Sequence, residues 1–179
     1  MKIENFIKRS EGNWKSMRSG HSLAFKQFEE IVSDIRINLL SVNDNEVLNL
    51  VKKNNISSGE FTSPFIICWE AESNWEEEKK DTTLNGSCVI VPVPISEEKG
   101  IMLRSSGYVE NIETKSEYEF LEEGTILLST NYNKTIAEER IWFISENLRC
   151  RSSVIKSSGS NSILQTSYAS EIRRLNNLR

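Results

Sequence analysis

Apolar and polar residues alternate along most of this chain, the period of two that turns one face of a strand toward a core. Within Ile31–Leu40, the residues Ile35, Ile37 and Leu39 interleave with Asp34, Arg36 and Asn38. Trp14–Phe25 reads as the first strand. From Glu60 onward only strands are predicted: Phe61–Ser73, Leu84–Ile95, Ile101–Val109, Ser116–Leu121, Thr125–Asn131, Ala137–Ile144, Arg149–Ile155 and Ile163–Arg173. Turn-forming clusters separate them. Helical spacing replaces alternation in two places. Ile3, Phe6 and Ile7 share one side of a short helix ending near Ser10. Ser41-Val42-Asn43-Asp44 supplies helix-start residues, and Val47, Leu48, Leu50 and Val51 then recur at helical spacing to about Asn54. Pro92 and Pro94 share a strand face, which places their missing N–H groups at an edge or irregular point. With no repeat and no long linker, the pattern predicts one all-β domain over residues 1–179, an antiparallel barrel or sandwich.

The strand parities single out certain polar residues. In the tract from Glu138 to Arg151, Arg149, Arg151 and Ser153 share one face, opposite Leu148, Cys150, Ser152 and Val154. Two guanidinium groups one pleat apart suit a carboxylate or phosphate, because each offers paired donors in fixed geometry. On the last strand Gln165, Ser167, Ala169, Glu171 and Arg173 share a face. A lumenal Glu171 would have a protonation state tuned by desolvation; a surface Glu171 would simply pair with an arginine across the strand. Arg18 follows the parity of Trp14 unless a bulge intervenes. Trp69 and Trp75 fit either core packing or stacking on a flat ligand. Glu139 lies in a charged triplet that fits a solvated strand end as well as a site.

Composition narrows the ligand. The 179 residues carry a net charge of −4, which argues against a nucleic-acid surface, so the arginines need a local partner. No apolar run approaches the roughly 20 residues of a membrane-spanning helix. The first six residues contain Glu4 and no signal-peptide core, and Cys68, Cys88 and Cys150 are odd in number and without metal-ligand spacing. Reduced thiols in a cytoplasmic protein, or in the plastid stroma of a eukaryote, are expected. His21 is the only imidazole, so no cysteine has an obvious activating base.

Gly12-Asn13-Trp14 after a short helix resembles the G-x-W opening of lipocalins and fatty-acid-binding proteins. There the tryptophan closes one end of an up-and-down barrel near an arginine of the last strand, here Arg173 or Arg174. Taken in order, Gly12–Arg18, His21–Phe25, Trp69…Trp75-Glu76, Gly86-Ser87, the Val-Pro-Val-Pro strand, Glu138–Phe143, Asn147–Ser153 and Ser170–Arg173 resemble the CpcS/CpeS-type phycobiliprotein lyases over the whole chain. The resemblance implies a lipocalin-like antiparallel barrel of about ten strands with one or two short helices. It implies a linear tetrapyrrole bound as substrate, phycoerythrobilin slightly ahead of phycocyanobilin, and thioether attachment to a cysteine of a phycobiliprotein subunit, with a β subunit expected. Arg149 and Arg151 would hold propionates, Trp69 and Trp75 would line the pocket, and Arg18, Ser153, Glu139 and Glu171 would orient or protonate the bilin. No cofactor or metal is implied, and the chain is compatible with a homodimer. Ser22 stands where a second histidine is expected, and the loop after Trp75 is unusually charged. A non-catalytic carrier of a fatty acid or similar acidic ligand is the alternative on the same barrel, and an interaction protein on a bare scaffold is a third reading.

Overall fold

Ten strands close into a single ring in the computed structural model, which describes residues 2–73, 84–105, 114–160 and 162–175. Helix α1 (Lys2–Ser10) leads into β1 (Gly12–Ser22) and β2 (Gln27–Leu39), and α2 (Asn45–Lys53) precedes β3 (Phe65–Ser73). β4 (Leu84–Pro94), β5 (Lys99–Arg104), β6 (Thr114–Phe120), β7 (Ile126–Asn131), β8 (Thr135–Ser145), β9 (Leu148–Ser157) and β10 (Ile163–Arg173) follow. Each strand pairs antiparallel with the next, and β10 returns to β1. The barrel is therefore the up-and-down type, and the sandwich is excluded. Two strand starts differ from the sequence reading by four residues, the others by two at most. β2 begins at Gln27 because Glu29, despite its charge, faces inward opposite Gly20. β3 begins only at Phe65, after Pro64, which has no N–H for a ladder. The expected strand Ile101–Val109 is β5 up to Arg104, and its part from 106 lies outside the described residues.

Helix α1 plugs one end. Its Ile3 and Ile7 are buried in a core with Trp14, Ile37, Phe65, Ile90, Met102, Tyr118, Phe120, Ile126, Leu128 and Ile141. Phe6 meets Phe120 and Phe143 edge-on, at centroid distances of 5.9 and 5.5 Å. The helical stripe of the N-terminus thus fills the narrow end of the lumen. Helix α2 starts where expected: the Asp44 carboxylate accepts the Glu46 N–H at 2.9 Å, a standard N-cap. It lies on the outer wall, where Val47, Leu50 and Val51 pack on Val89, Val91, Val93 and Leu103. β4 consequently buries both faces, Ile90 inside and the valines beneath α2.

The proline expectation is met in detail. β3–β4 pairing stops at Phe65 and Ile90, while β4–β5 pairing runs on to Pro94 and Gly100. The Ile95 N–H donates to Lys99 O, so alternate residues from Val91 turn their N–H groups to β5. Pro92 and Pro94 face the side where β3 has already ended. Trp14 closes the plugged end, donating Nε1–H to Ser10 O at 2.9 Å. Its ring lies between two guanidinium carbons, Arg173 at 4.3 Å and Arg149 at 4.7 Å. Arg173 is the last-strand arginine anticipated from the G-x-W opening, and it also donates to the carbonyls of Arg9, Glu11 and Glu146. Gly12 adopts φ +123°, and any Cβ there would sit 2.8 Å from Arg173 Nη1.

Candidate functional site

Strand register arranges the inward side chains of β1, β10, β9 and β8 in rows. Nearest α1 the row is Ser16, Glu171, Arg149 and Phe143; next come Arg18, Ala169, Arg151 and Ile141, and then Gly20, Ser167, Ser153 and Glu139. Arg18 faces inward, since β1 pairs without a bulge from Trp14 to Ser22. The lumen therefore grades from an apolar floor to a polar upper half.

The first row is a closed unit. Glu171 and Arg149 are 1% and 2% exposed, and Arg149 places Nε 2.6 Å and Nη2 2.5 Å from Glu171 Oε2. Burial pulls the Arg149 guanidinium down to about 10, against the attraction of Glu171. Burial alone would raise the Glu171 carboxyl. Arg151 and Arg149, with hydrogen bonds from Arg149 and Ser16, outweigh it and hold the group below the ordinary carboxylate range. That direction is opposite to the one a proton donor near neutral pH requires.

The second row is open. Ala169, with its small side chain, separates Arg18 from Arg151 across the row. Their side chains are 41% and 29% exposed; Arg18 donates Nη2 to Glu29 at 3.3 Å, and Arg151 lies 3.8 Å from Glu171. The Nε atoms of both are buried with no hydrogen-bond partner among the described residues. An unsatisfied buried donor costs about 1–3 kcal/mol. Burial works against the charge on Arg151, but Glu171 and Glu139 outweigh it and raise its pKa. It is a firmly held cation.

In the third row the hydroxyls of Ser153 and Ser167 bond each other at 2.9 Å beside Glu139. The neighbours of Glu139 in sequence point outward; Glu138, for instance, pairs with Lys156 at 2.7 Å. Trp69 lies within β3 on the inward face, its indole flat on Gly86, where a Cβ would meet Cζ2 at 2.4 Å. The glycine is what lets the ring lie against the wall. Trp75 is outside the described residues.

Two lumenal charges went unnoticed in the sequence. Glu29 pairs with Arg18, and Arg104 on β5 has Nη2 3.7 Å from Glu139 Oε2. The signal for Arg104 was its spacing of two from the inward Met102. The three thiols lie apart. Cys68 pairs outward beside Arg36, Cys150 is buried outside the lumen beneath the Tyr168 hydroxyl at 3.2 Å, and Cys88 lies 3.4 Å from Ser105 O with its thiol pushed up by burial. His21 faces outward against Phe28. Among the described residues no group of His, Cys, Asp and Glu could hold a metal ion, and no helix is long and apolar enough to cross a membrane.

Fold and site together define an interior-binding β-barrel whose lumen suits an apolar ligand with acidic substituents. The chain belongs to the CpeS-like protein family, which matches residues 2–174. Chromophore lyase CpcS/CpeS 3 of Trichodesmium erythraeum is 46% identical over 175 residues, 97% of this chain and 99% of that one. A CpeS relative of Microchaete diplosiphon, named for phycoerythrobilin, is 41% identical over 152 residues, 84% of this chain and 66% of its own. The solved S-type phycobiliprotein lyase CPES from Guillardia theta superposes with a TM-score of 0.86 at 37% identity, covering 99% of this chain and 95% of the other.

Proposed function

We propose that this protein is a bilin lyase: the barrel binds a linear tetrapyrrole and attaches it through a thioether to a cysteine of a phycobiliprotein subunit. The observation that carries the reading is the open pair, Arg18 and Arg151 flanking Ala169 inside a barrel of the CpeS-like family. Phycoerythrobilin is the preferred ligand, supported by the name of the Microchaete relative. A β subunit is the proposed acceptor.

In this mechanism the two arginines take a propionate, with Ser153 and Ser167 in the row beyond. Trp69 offers a flat face to a conjugated ring. The fixed pocket holds one conformation of a flexible chromophore and shields it from side reactions, while the acceptor protein supplies the sulfur. Its thiolate bonds to the exocyclic ethylidene carbon of ring A, and the adjacent ring carbon takes a proton; S–H is added across C=C without redox change. Glu139 is better placed than Glu171 to handle that proton, because Glu171 is locked in its ion pair. A carrier of a fatty acid would use one carboxylate contact and require no acceptor protein.

Mixing the purified protein with phycoerythrobilin is expected to sharpen and shift the visible spectrum, and adding an acceptor subunit to yield a coloured band that survives denaturing gel electrophoresis. An unchanged spectrum sinks the bilin reading; a shifted spectrum without covalent product leaves only a carrier. Cys150 is buried outside the lumen, Cys68 faces outward, and the half-buried, lumenal Cys88 has its thiol pushed up by burial, so replacing Cys68, Cys88 and Cys150 together with serine should leave transfer intact in a folded protein. Loss of transfer by a variant that still binds bilin would point to a covalent relay.

A further inference from the structure

We infer that Arg104 forms a second carboxylate-binding subsite, across the lumen from Arg18 and Arg151, which takes the other propionate of the bound tetrapyrrole. The inference rests on the bilin reading above. β5 stands five places from β10 in the ten-strand ring, on the far wall of the barrel. Met102, two residues earlier, is buried in the lumenal core, and Gly100 lies against the inward Tyr118, so Arg104 shares the inward face. Its Nε is buried without a hydrogen-bond partner among the described residues, and its side chain is 22% exposed. Its acidic neighbour is Glu139, at 3.7 Å, beyond hydrogen-bonding distance.

A guanidinium set among Ile90, Met102 and a loose counter-ion is poorly satisfied. Arg149 differs in that its Nε donates to Glu171 Oε2 at 2.6 Å, although its Nη2, 2.5 Å from the same oxygen, lacks a hydrogen bond among the described residues. Glu139 also attracts Arg151, which Glu171 approaches at 3.8 Å, so Glu139 stands between cations on different walls. A ligand with one acidic group can satisfy only one of them. Propionates on neighbouring middle rings can straddle Glu139, one reaching Arg151 with Arg18 and the other Arg104. Glu139, relieved of its loose partner, is then left facing the pyrrole N–H groups between the two propionates and can accept their hydrogen bonds. The subsite thus selects for two carboxylates, which distinguishes bilins from fatty acids.

The test titrates phycoerythrobilin free acid and its dimethyl ester into wild type, Arg104→Gln and Arg104→Lys, with circular dichroism confirming the fold. Losing a charge-assisted hydrogen bond should raise Kd for the free acid by about 10-fold or more in Arg104→Gln. Ester affinity should be unchanged, and Arg104→Lys should recover part of the loss. Equal losses for acid and ester, or no loss for the acid, overturn the subsite while leaving the bilin reading intact. A wild type that responds to neither ligand overturns both. If Arg104→Gln fails to fold, Arg104→Lys against wild type gives the same comparison, with a smaller acid-specific loss expected and equal affinities overturning the subsite.

Discussion

Arg149→Ala is expected to lower the unfolding free energy by about 3–5 kcal/mol, the cost of leaving one member of a buried ion pair alone. Urea denaturation followed by tryptophan fluorescence measures it. The variant strands the Glu171 carboxylate, 1% exposed, and removes one of the two guanidinium groups that face Trp14. The double variant Arg149→Met/Glu171→Leu should be much less harmed, because a buried pair replaced by apolar groups of similar volume is often neutral. A single variant within about 1 kcal/mol of wild type would contradict the structural role. The pair also makes stability depend on pH. The folded pKa of Glu171 lies below its unfolded value, so its contribution is complete above about pH 4.3 and is lost as pH falls through the lower folded value. Glu171→Gln should flatten that acid limb.

The second large effect is on ligand affinity. Arg18→Ala/Arg151→Ala should weaken phycoerythrobilin binding by about 3–6 kcal/mol, on the order of 10²–10⁴-fold in Kd, if each lost charged hydrogen bond is worth about 1.5–3 kcal/mol. The two side chains flank one residue, so single losses need not add. Losing Arg18 alone should change stability little, since Arg18–Glu29 is a half-exposed pair at 3.3 Å, the kind worth at most about 1 kcal/mol. Losing Arg151 also weakens support for the buried Glu171, so circular dichroism must confirm the fold of the double variant. Spectral titration gives the answer directly. A folded double variant that binds as tightly as wild type would remove both arginines from the site.

These two predictions divide arginines that the sequence presented as equals. Arg149 and Arg151 share a strand, a face and a residue type, and alternation alone placed both inward. Their difference comes from the strand beside them, where Glu171 meets Arg149 and Ala169 meets Arg151. The register between two strands, even the consecutive β9 and β10, is not written into either strand's own pattern. The same limit hid Arg104, whose role depends on Glu139 reaching it across three strand positions of the ring. Local signals did carry the Asp44 cap, the α1 stripe, the proline edge and the inward parity of Trp14 and Arg18. The position of α2 was half legible: Val89-Ile90-Val91-Pro92-Val93 is apolar on both faces, as a wall covered outside as well as inside must be.

The plug made by α1 has a kinetic consequence. With Ile3 and Ile7 sealed into the floor and Trp14 facing two arginines, the helix end of the lumen is closed to a ligand. On the proposed bilin mechanism, chromophore and acceptor both arrive away from that end, and the expected order is pigment first, protein second, coloured product away before the cycle restarts. A barrel stoppered at one end is in this sense a queue.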